Sequence, residues 1–275
     1  VTTPAGAAAT IIMGVLNVTP DSFSGPGRLP SPEAAIQAGL QLARAGAAII
    51  DVGGESTRPG AEPVEEAEEL RRVLPAVEAL ARAGAARVSI DTMKPAVAEA
   101  CLRAGATLVN DVTGLRDPAM ARVVARHRAG AVIMHMRGTP RTMRAHARYA
   151  DVMAEVIGEL APRVRAAREA GIGEIYVDPG IGFAKEPAHS FALLARLREL
   201  ESLGCPILVG PSRKSFLAAL PGMEDVRDRL EGTLAAAVIA ALNGAAVVRV
   251  HDVLACRKAL MVVEAVKGAG WTGSC

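Results

Sequence analysis

Aromatic side chains make up only 3% of the 275 residues, with one Trp, two Tyr and four Phe. That is too few for the stacking platforms of single-strand binders. With a net charge of +2 and no basic run or stripe, nucleic acid is excluded as the expected partner. No uninterrupted apolar stretch reaches the roughly 18 residues of a membrane span. The start Val1-Thr2-Thr3-Pro4-Ala5-Gly6 has neither a positive n-region nor an apolar core, so neither secretion nor membrane insertion is expected. The four cysteines, Cys101, Cys205, Cys256 and Cys275, show no paired or metal-ligand spacing. The first three lie in or beside apolar runs, where cysteine acts as a small hydrophobe, and a reduced, cytoplasmic protein is expected. Lysine is also rare: of 31 basic residues only five are Lys. Two of these, Lys185 and Lys214, fall in polar segments that follow strand-like runs. In so Arg-rich a chain, that placement favours a role for the ammonium itself.

What the chain does have is repetition. Eight apolar, strand-like runs, placed at 11–18, 48–52, 87–91, 107–111, 131–135, 174–178, 206–210 and 246–250, almost all end in a short polar segment. They read as strands covered on both sides, because the apolar character is continuous rather than alternating. Seven are preceded by a glycine at what reads as a helix end: Gly46, Gly84, Gly105, Gly130, Gly171, Gly204 and Gly244. A left-handed glycine terminates a helix, so "helix, Gly, strand" is the αβ turn of a βα repeat. Helical spacing fills the gaps. The segment 65–82 opens on Glu65, Glu66, Glu68 and Glu69, which suit the helix dipole and read as a solvated face pairing with Arg71 and Arg72. The segment 149–170 places Val152, Val156, Leu160 and Val164 in the core. Length, 51% apolar content and eight repeats specify an α/β fold: a single (β/α)8 TIM barrel with the active site at the C-terminal face of its strands. Residues 1–10 are expected as an N-terminal extension, 11–267 as the barrel and 268–275 as a C-terminal tail.

A parallel barrel gathers the C-terminal ends of its strands on one face, so the polar segments converge. Arg213 and Lys214 after strand seven, and Arg249 and His251 after strand eight, lie where barrels often bind phosphate. The glycine-rich segment from Gly53 to Ala61, with Arg58, is a second candidate for an anion. The oxygen of Asn17 suits a hard cation bridging a diphosphate. A different chemistry gathers at Asp91, Asn110, Asp111 and Asp178. Carboxylates there match adjacent N–H groups, such as an aminopyrimidine edge, and an amide matches a mixed edge. A metal centre ranks lower, since only His135 and His251 stand at strand ends and no zinc spacing is present. His127, His146 and His189 read as ordinary helix or loop residues. Met134 either lines a flat-ring pocket or fills core, with core favoured. Ser56 and Ser212 show no His–Asp arrangement that would make them covalent nucleophiles.

Taken together, the segments Met13-Gly14-Val15-Leu16-Asn17-Val18-Thr19-Pro20-Asp21-Ser22-Phe23-Ser24, Asp51-Val52-Gly53-Gly54-Glu55-Ser56-Thr57-Arg58-Pro59-Gly60, Ser89-Ile90-Asp91-Thr92, Asn110-Asp111, Met134-His135-Met136, Asp178-Pro179-Gly180-Ile181-Gly182-Phe183, Ser212-Arg213-Lys214-Ser215 and Arg249-Val250-His251-Asp252 closely resemble the dihydropteroate synthase family. The resemblance runs in register from residue 11 to about 267 and rests on several long motifs. It implies a transferase that condenses 6-hydroxymethyl-7,8-dihydropterin diphosphate with 4-aminobenzoate, giving dihydropteroate and diphosphate. Transferred by position, the pterin pocket is Asp91, Asn110, Asp178 and Lys214, with Val112 and Met134 against the ring. The anion site is Arg249, His251 and Asn17 with Mg2+. Thr57 and Arg58 sit on the mobile second loop, and Phe183, Pro59, Lys214 and Ser215 border the aminobenzoate, which is also the sulfonamide site.

The implied catalytic residues are Asp91, Asp178, Lys214 and Arg58. If diphosphate departs first, Asp91 and Asp178 steady the positive charge left on the pterin methylene. A homodimer through helices near the C-terminus is implied as well. One position departs from the pattern: Gly25 stands where the family usually carries a second aspartate on the first loop. Two further readings are a pterin-dependent methyltransferase and a non-catalytic pterin-binding homologue. Against the first stand Arg58, the Ser212-Arg213-Lys214 segment, Arg249 and His251, which a methyl donor lacking diphosphate does not need. The change at Gly25 is what raises the second.

Overall fold

The computed structural model describes residues 9–19, 31–57 and 60–270. Strands and helices alternate as β1 (Ile11–Asn17), α1 (Pro32–Arg44), β2 (Ile49–Gly53), α2 (Glu66–Ala83), β3 (Arg87–Asp91), α3 (Pro95–Arg103), β4 (Leu108–Asp111) and α4 (Pro118–Arg126). They continue as β5 (Gly130–Met134), α5 (Val152–Glu169), β6 (Ile175–Asp178), α6 (Pro187–Ala195), β7 (Ile207–Val209), α7 (Leu230–Leu242), β8 (Ala245–Val250) and α8 (Val253–Gly268). The strands close in chain order into one barrel, and each pair is parallel. Every strand lies within one residue of its expected end.

Apolar residues from several strands fill the barrel interior. Met13, Ile49, Leu108, Val132, Leu208 and Val247 form one buried cluster, with Tyr176 and Ala246 packed against it. A second, larger cluster joins the outer faces of the strands to the helices. Leu80 of α2 is fully buried there, and truncating such a side chain to Ala costs about 2–5 kcal/mol.

Side chains alternate along a strand, so the residues two positions beyond the interior cluster face the same way. Five of those residues are Asp51, Asn110, Met134, Asp178 and Arg249, while β1 and β7 supply Val15 and Gly210. Register therefore places four polar side chains, Asp51, Asn110, Asp178 and Arg249, at the mouth of the barrel, directly above an apolar plug. At the opposite end, Arg87 pairs with Glu174 at 2.6 Å, and the Tyr176 hydroxyl donates to Glu174 at 2.8 Å.

Two expectations need correction. Gly130 is not a helix terminator. The left-handed residue after α4 is Arg128, with φ of 53°, while Gly130 opens β5. A Cβ on Gly130 would lie 2.7 Å from Glu174 Oε2, so glycine is there for space. The other six glycines do take positive φ. The acidic start of α2 is also not all solvated. Glu68 pairs with Arg71 and Arg72 as expected, but Glu69 is completely buried and bonded by Lys94. The charge run wraps far enough round the helix for one carboxylate to reach the barrel. Val152, Val156, Leu160 and Val164 of α5 are buried as expected, as are Cys101, Cys205 and Cys256, all free thiols.

Candidate active site

The mouth is organised around one guanidinium. Arg249 at the end of β8 donates from Nε to Asp51 Oδ2 and from Nη2 to Asp91 Oδ2, each at 2.6 Å. Asn110 Nδ2 donates to the same Asp51 oxygen at 2.9 Å. Asp51 is fully buried, and its Oδ1 has no hydrogen-bond partner among the described residues. Strand register places these groups together: Asn17 is level with Gly53, Gly53 with Asp91, and Asp91 with Asn110. A Cβ on Gly53 would lie 3.6 Å from Asp91 Oδ2 and 3.7 Å from Asn17 Oδ1. Asn17 itself makes no side-chain hydrogen bond to the described residues.

Electrostatics follow from this crowding. Burial raises the Asp91 carboxyl above its ordinary value, the Arg249 charge opposes that rise, and Asp51, Glu69 and Asp111 add to it. Asp178, ending β6, is likewise raised by burial, against the pull of Lys214. It accepts the Gly180 N–H at 2.7 Å. Lys214 donates to the Ile181 carbonyl at 2.6 Å and lies 4.4 Å from the centre of the Phe183 ring. Burial pushes its ammonium down to about 8, with Asp178 resisting. Beside these groups Val112, Met134, Met136, Met143 and Ala184 form a third apolar cluster, on which Met93 and Phe183 pack. Buried carboxylates thus stand next to an apolar wall that ends on a cation-capped aromatic ring. That arrangement suits a flat, partly charged heterocycle.

His251 faces Ser212. Ser212 Oγ accepts the His251 backbone N–H at 3.2 Å and lies 2.9 Å from His251 Nδ1. A Ser–His pair therefore exists where none was expected from sequence. Asp252 does not complete it, being bound by Arg213 at 2.6 Å. Arg213 thus spends Nε and Nη2 on Asp252. Asp111 is a second correction. It accepts from Thr113 N and Oγ1 and from Leu115 N, so it shapes the turn after β4 rather than facing the mouth. Ser215 begins a 3-10 turn, Ser215–Ala219, and is exposed. Thr57 lies on the loop beyond β2, at whose base Glu55 is bonded by Lys94 and Arg72 donates to the Gly54 carbonyl at 2.9 Å. Arg58, Pro59, Pro20, Asp21, Gly25 and Pro26 lie outside the described residues.

Sequence reasoning missed Asp51 as a site residue and Lys94 altogether. The signal for Asp51 was present: it is a lone acid inside Ile49-Ile50-Asp51-Val52-Gly53, two positions from an interior isoleucine.

Comparison with known proteins yields consistent matches. Residues 13–251 match the family model described as pterin binding enzyme. The Dihydropteroate synthase of Escherichia coli strain K12 is 44% identical over 260 residues, covering 94% of this chain and 92% of the relative. The solved structure of the Xanthomonas albilineans Dihydropteroate synthase with 4-aminobenzoic acid superposes with a TM-score of 0.88 at 46% identity, covering 94% of this chain and 93% of the other. The crystal structure of the Thermus thermophilus Dihydropteroate Synthase, in complex with 6HMPPP, gives 0.82 at 46% identity and covers 94% of each chain.

Proposed function

This chain belongs to the pterin binding enzyme family, and from that premise and the geometry of the mouth we infer that it is a transferase with dihydropteroate synthase activity. It condenses 6-hydroxymethyl-7,8-dihydropterin diphosphate with 4-aminobenzoate in folate biosynthesis. The observation that carries the assignment of its parts is the Asp51–Arg249–Asp91 bridge, which joins a cationic group to the carboxylates lining an apolar slot.

The heterocycle lies against Val112 and Met134, with Asp91, Asn110 and Asp178 on its polar edge and Lys214 beside Asp178. These carboxylates sit at low exposure, where their attraction for a developing positive charge is least screened. As the carbon–oxygen bond to diphosphate breaks, positive charge grows on the pterin methylene next to Asp91 and Asp178. Arg249 spends two of its five N–H donors on Asp51 and Asp91, which leaves the remainder for diphosphate oxygens beside His251. The amine of 4-aminobenzoate, bordered by Phe183, Lys214 and Ser215 with Thr57, Arg58 and Pro59 from the second loop, then attacks the methylene and loses a proton.

Mg2+ fits this donor set. The Asn17 side-chain oxygen, level with Gly53 and near Asp91, is an oxygen ligand without a competing hydrogen bond among the described residues. A cation that keeps most of its shell as water and phosphate oxygen needs few protein ligands. When bound, it supplies charge neutralisation to the departing diphosphate.

A homodimer is proposed through α7 and α8, where Ile239, Leu254, Met261, Val262 and Val266 are exposed large apolar side chains. Such a patch calls for cover. No helix among the described residues is long and apolar enough to cross a membrane. Three buried cysteines without a disulfide agree with a cytoplasmic location. The deciding experiment is turnover of the pterin diphosphate and 4-aminobenzoate with Mg2+, followed by dihydropteroate formation. Diphosphate-dependent product is expected, and its absence in folded protein would refute the reading.

A further inference from the structure

Behind Phe183 lies a buried chain of titratable groups that the mechanism above does not use. Lys185 Nζ stands 2.9 Å from His135 Nδ1 and donates to the Phe183 carbonyl at 2.9 Å. The His135 ring, fully buried at the end of β5, places Nε2 3.1 Å from Glu159 Oε2 on α5. Glu159 is partly exposed and held by Arg137, whose Nε donates to its other oxygen at 2.8 Å. Arg137 in turn lies 4.1 Å over the Tyr149 ring, and the Tyr149 hydroxyl donates to the Ala184 carbonyl at 2.9 Å.

These contacts all converge on one loop. Between β6 and α6, Gly180, Gly182 and Ala184 have positive φ of 68°, 78° and 50°. At Gly180 a Cβ would lie 1.9 Å from the His135 carbonyl oxygen, so β5 and this loop touch backbone to backbone. Left-handed alanine is strained, and such a conformation persists only where its surroundings hold it. Lys185 and Tyr149 are the holders, one on each side of Ala184.

The donors and acceptors fix the histidine. A bare nitrogen facing the Glu159 carboxylate at 3.1 Å would be repelled, so Nε2 carries the hydrogen. The other nitrogen then accepts from Lys185. We propose that Lys185 is a positioning residue for the aminobenzoate end of the site: it fixes Phe183 through the loop carbonyl and is itself anchored on a neutral His135 locked by Glu159 as the Nε2–H tautomer. Burial, with the charges of Lys185, Arg163 and Arg137, also pushes the imidazole down to about 2, in keeping with a neutral ring.

The proposal rests on the reading of Phe183 as an aminobenzoate neighbour, and the test separates the two. In the full-length protein labelled with 15N-histidine, the long-range 1H–15N spectrum, assigned by the signal lost in His135→Gln, is expected to show a neutral Nε2–H ring at pH 7. A protonated or Nδ1–H ring overturns the proposal whether or not the protein turns over. In kinetics, Lys185→Met is expected to raise KM for 4-aminobenzoate about tenfold or more, while kcat and the affinity for a diphosphate-free pterin change less than about threefold. Unchanged KM, or equal losses for both ligands, overturns it. Should Lys185→Met not fold, Glu159→Gln at the partly exposed end carries the same test with a smaller expected rise, about threefold in KM. Wild-type protein without turnover would count against the assigned activity, and the spectrum alone would then decide this inference.

Discussion

Removing Arg249 tests the architecture of the mouth most directly. In Arg249→Met a side chain of comparable length replaces the guanidinium, leaving Asp51, fully buried, and Asp91, 11% exposed, facing each other without their shared cation. Breaking a buried pair in this way costs about 3–5 kcal/mol, because the remaining charges stay desolvated. For a domain of this size that is a fall in Tm on the order of 10 °C. The sign of the pH dependence is determined too. The Asp91 carboxyl is already raised in the folded state, and losing Arg249 removes the cation that opposes the rise. A carboxyl whose folded pKa lies above its unfolded value of about 3.9 favours folding at low pH and loses that contribution as pH climbs through the folded value. The deficit of the variant relative to wild type is therefore expected to widen from pH 5 toward pH 8 as Asp91 ionises. Urea unfolding at both pH values, at constant m, measures it. An equal midpoint for the two proteins at pH 8, or a deficit that does not change with pH, would refute the bracing argument. Because Arg249 touches Asp91, the variant is also expected to bind both diphosphate and a diphosphate-free pterin more weakly. A residue serving the anion alone would spare the latter.

Asp91→Asn and Asp178→Asn are each expected to keep the fold and to weaken a pterin analogue in calorimetry by roughly 1.5–3 kcal/mol, the worth of a charge-assisted hydrogen bond; unchanged affinity in both refutes the pocket. Asn17→Ala is expected to shift the Mg2+ titration of kcat/KM to higher concentration while leaving diphosphate-free pterin binding intact, so an unmoved titration removes Asn17 as the ligand. Val262→Asp, at a side chain 63% exposed on α8, is expected to convert a dimer to monomer in sedimentation, and wild-type protein that sediments as a monomer at micromolar concentration removes the proposed interface.

The eight strands and the polar mouth were legible in the sequence because they depend on local pattern. Continuous apolar runs between glycine and polar residues mark covered strands, and a parallel barrel brings strand ends to one face wherever those ends lie in the chain. Asp91, Asn110, Asp178, Lys214 and Arg249 could be selected from residue type and position alone. Which groups answer which could not. Arg249 meets Asp51 and Asp91 across 198 and 158 residues, contacts that exist only once β8 closes on β1 and the inward registers align. Glu69 reads as solvated by composition and is buried because Lys94, from the start of α3, reaches it. Asp111 reads as a mouth carboxylate and turns instead into its own loop, one pleat out of phase with Asn110. Residue type and spacing determined where chemistry gathers. Burial and counter-charge, which depend on neighbours distant in the chain, decided whether a given charge stands at the mouth or is bound within the protein.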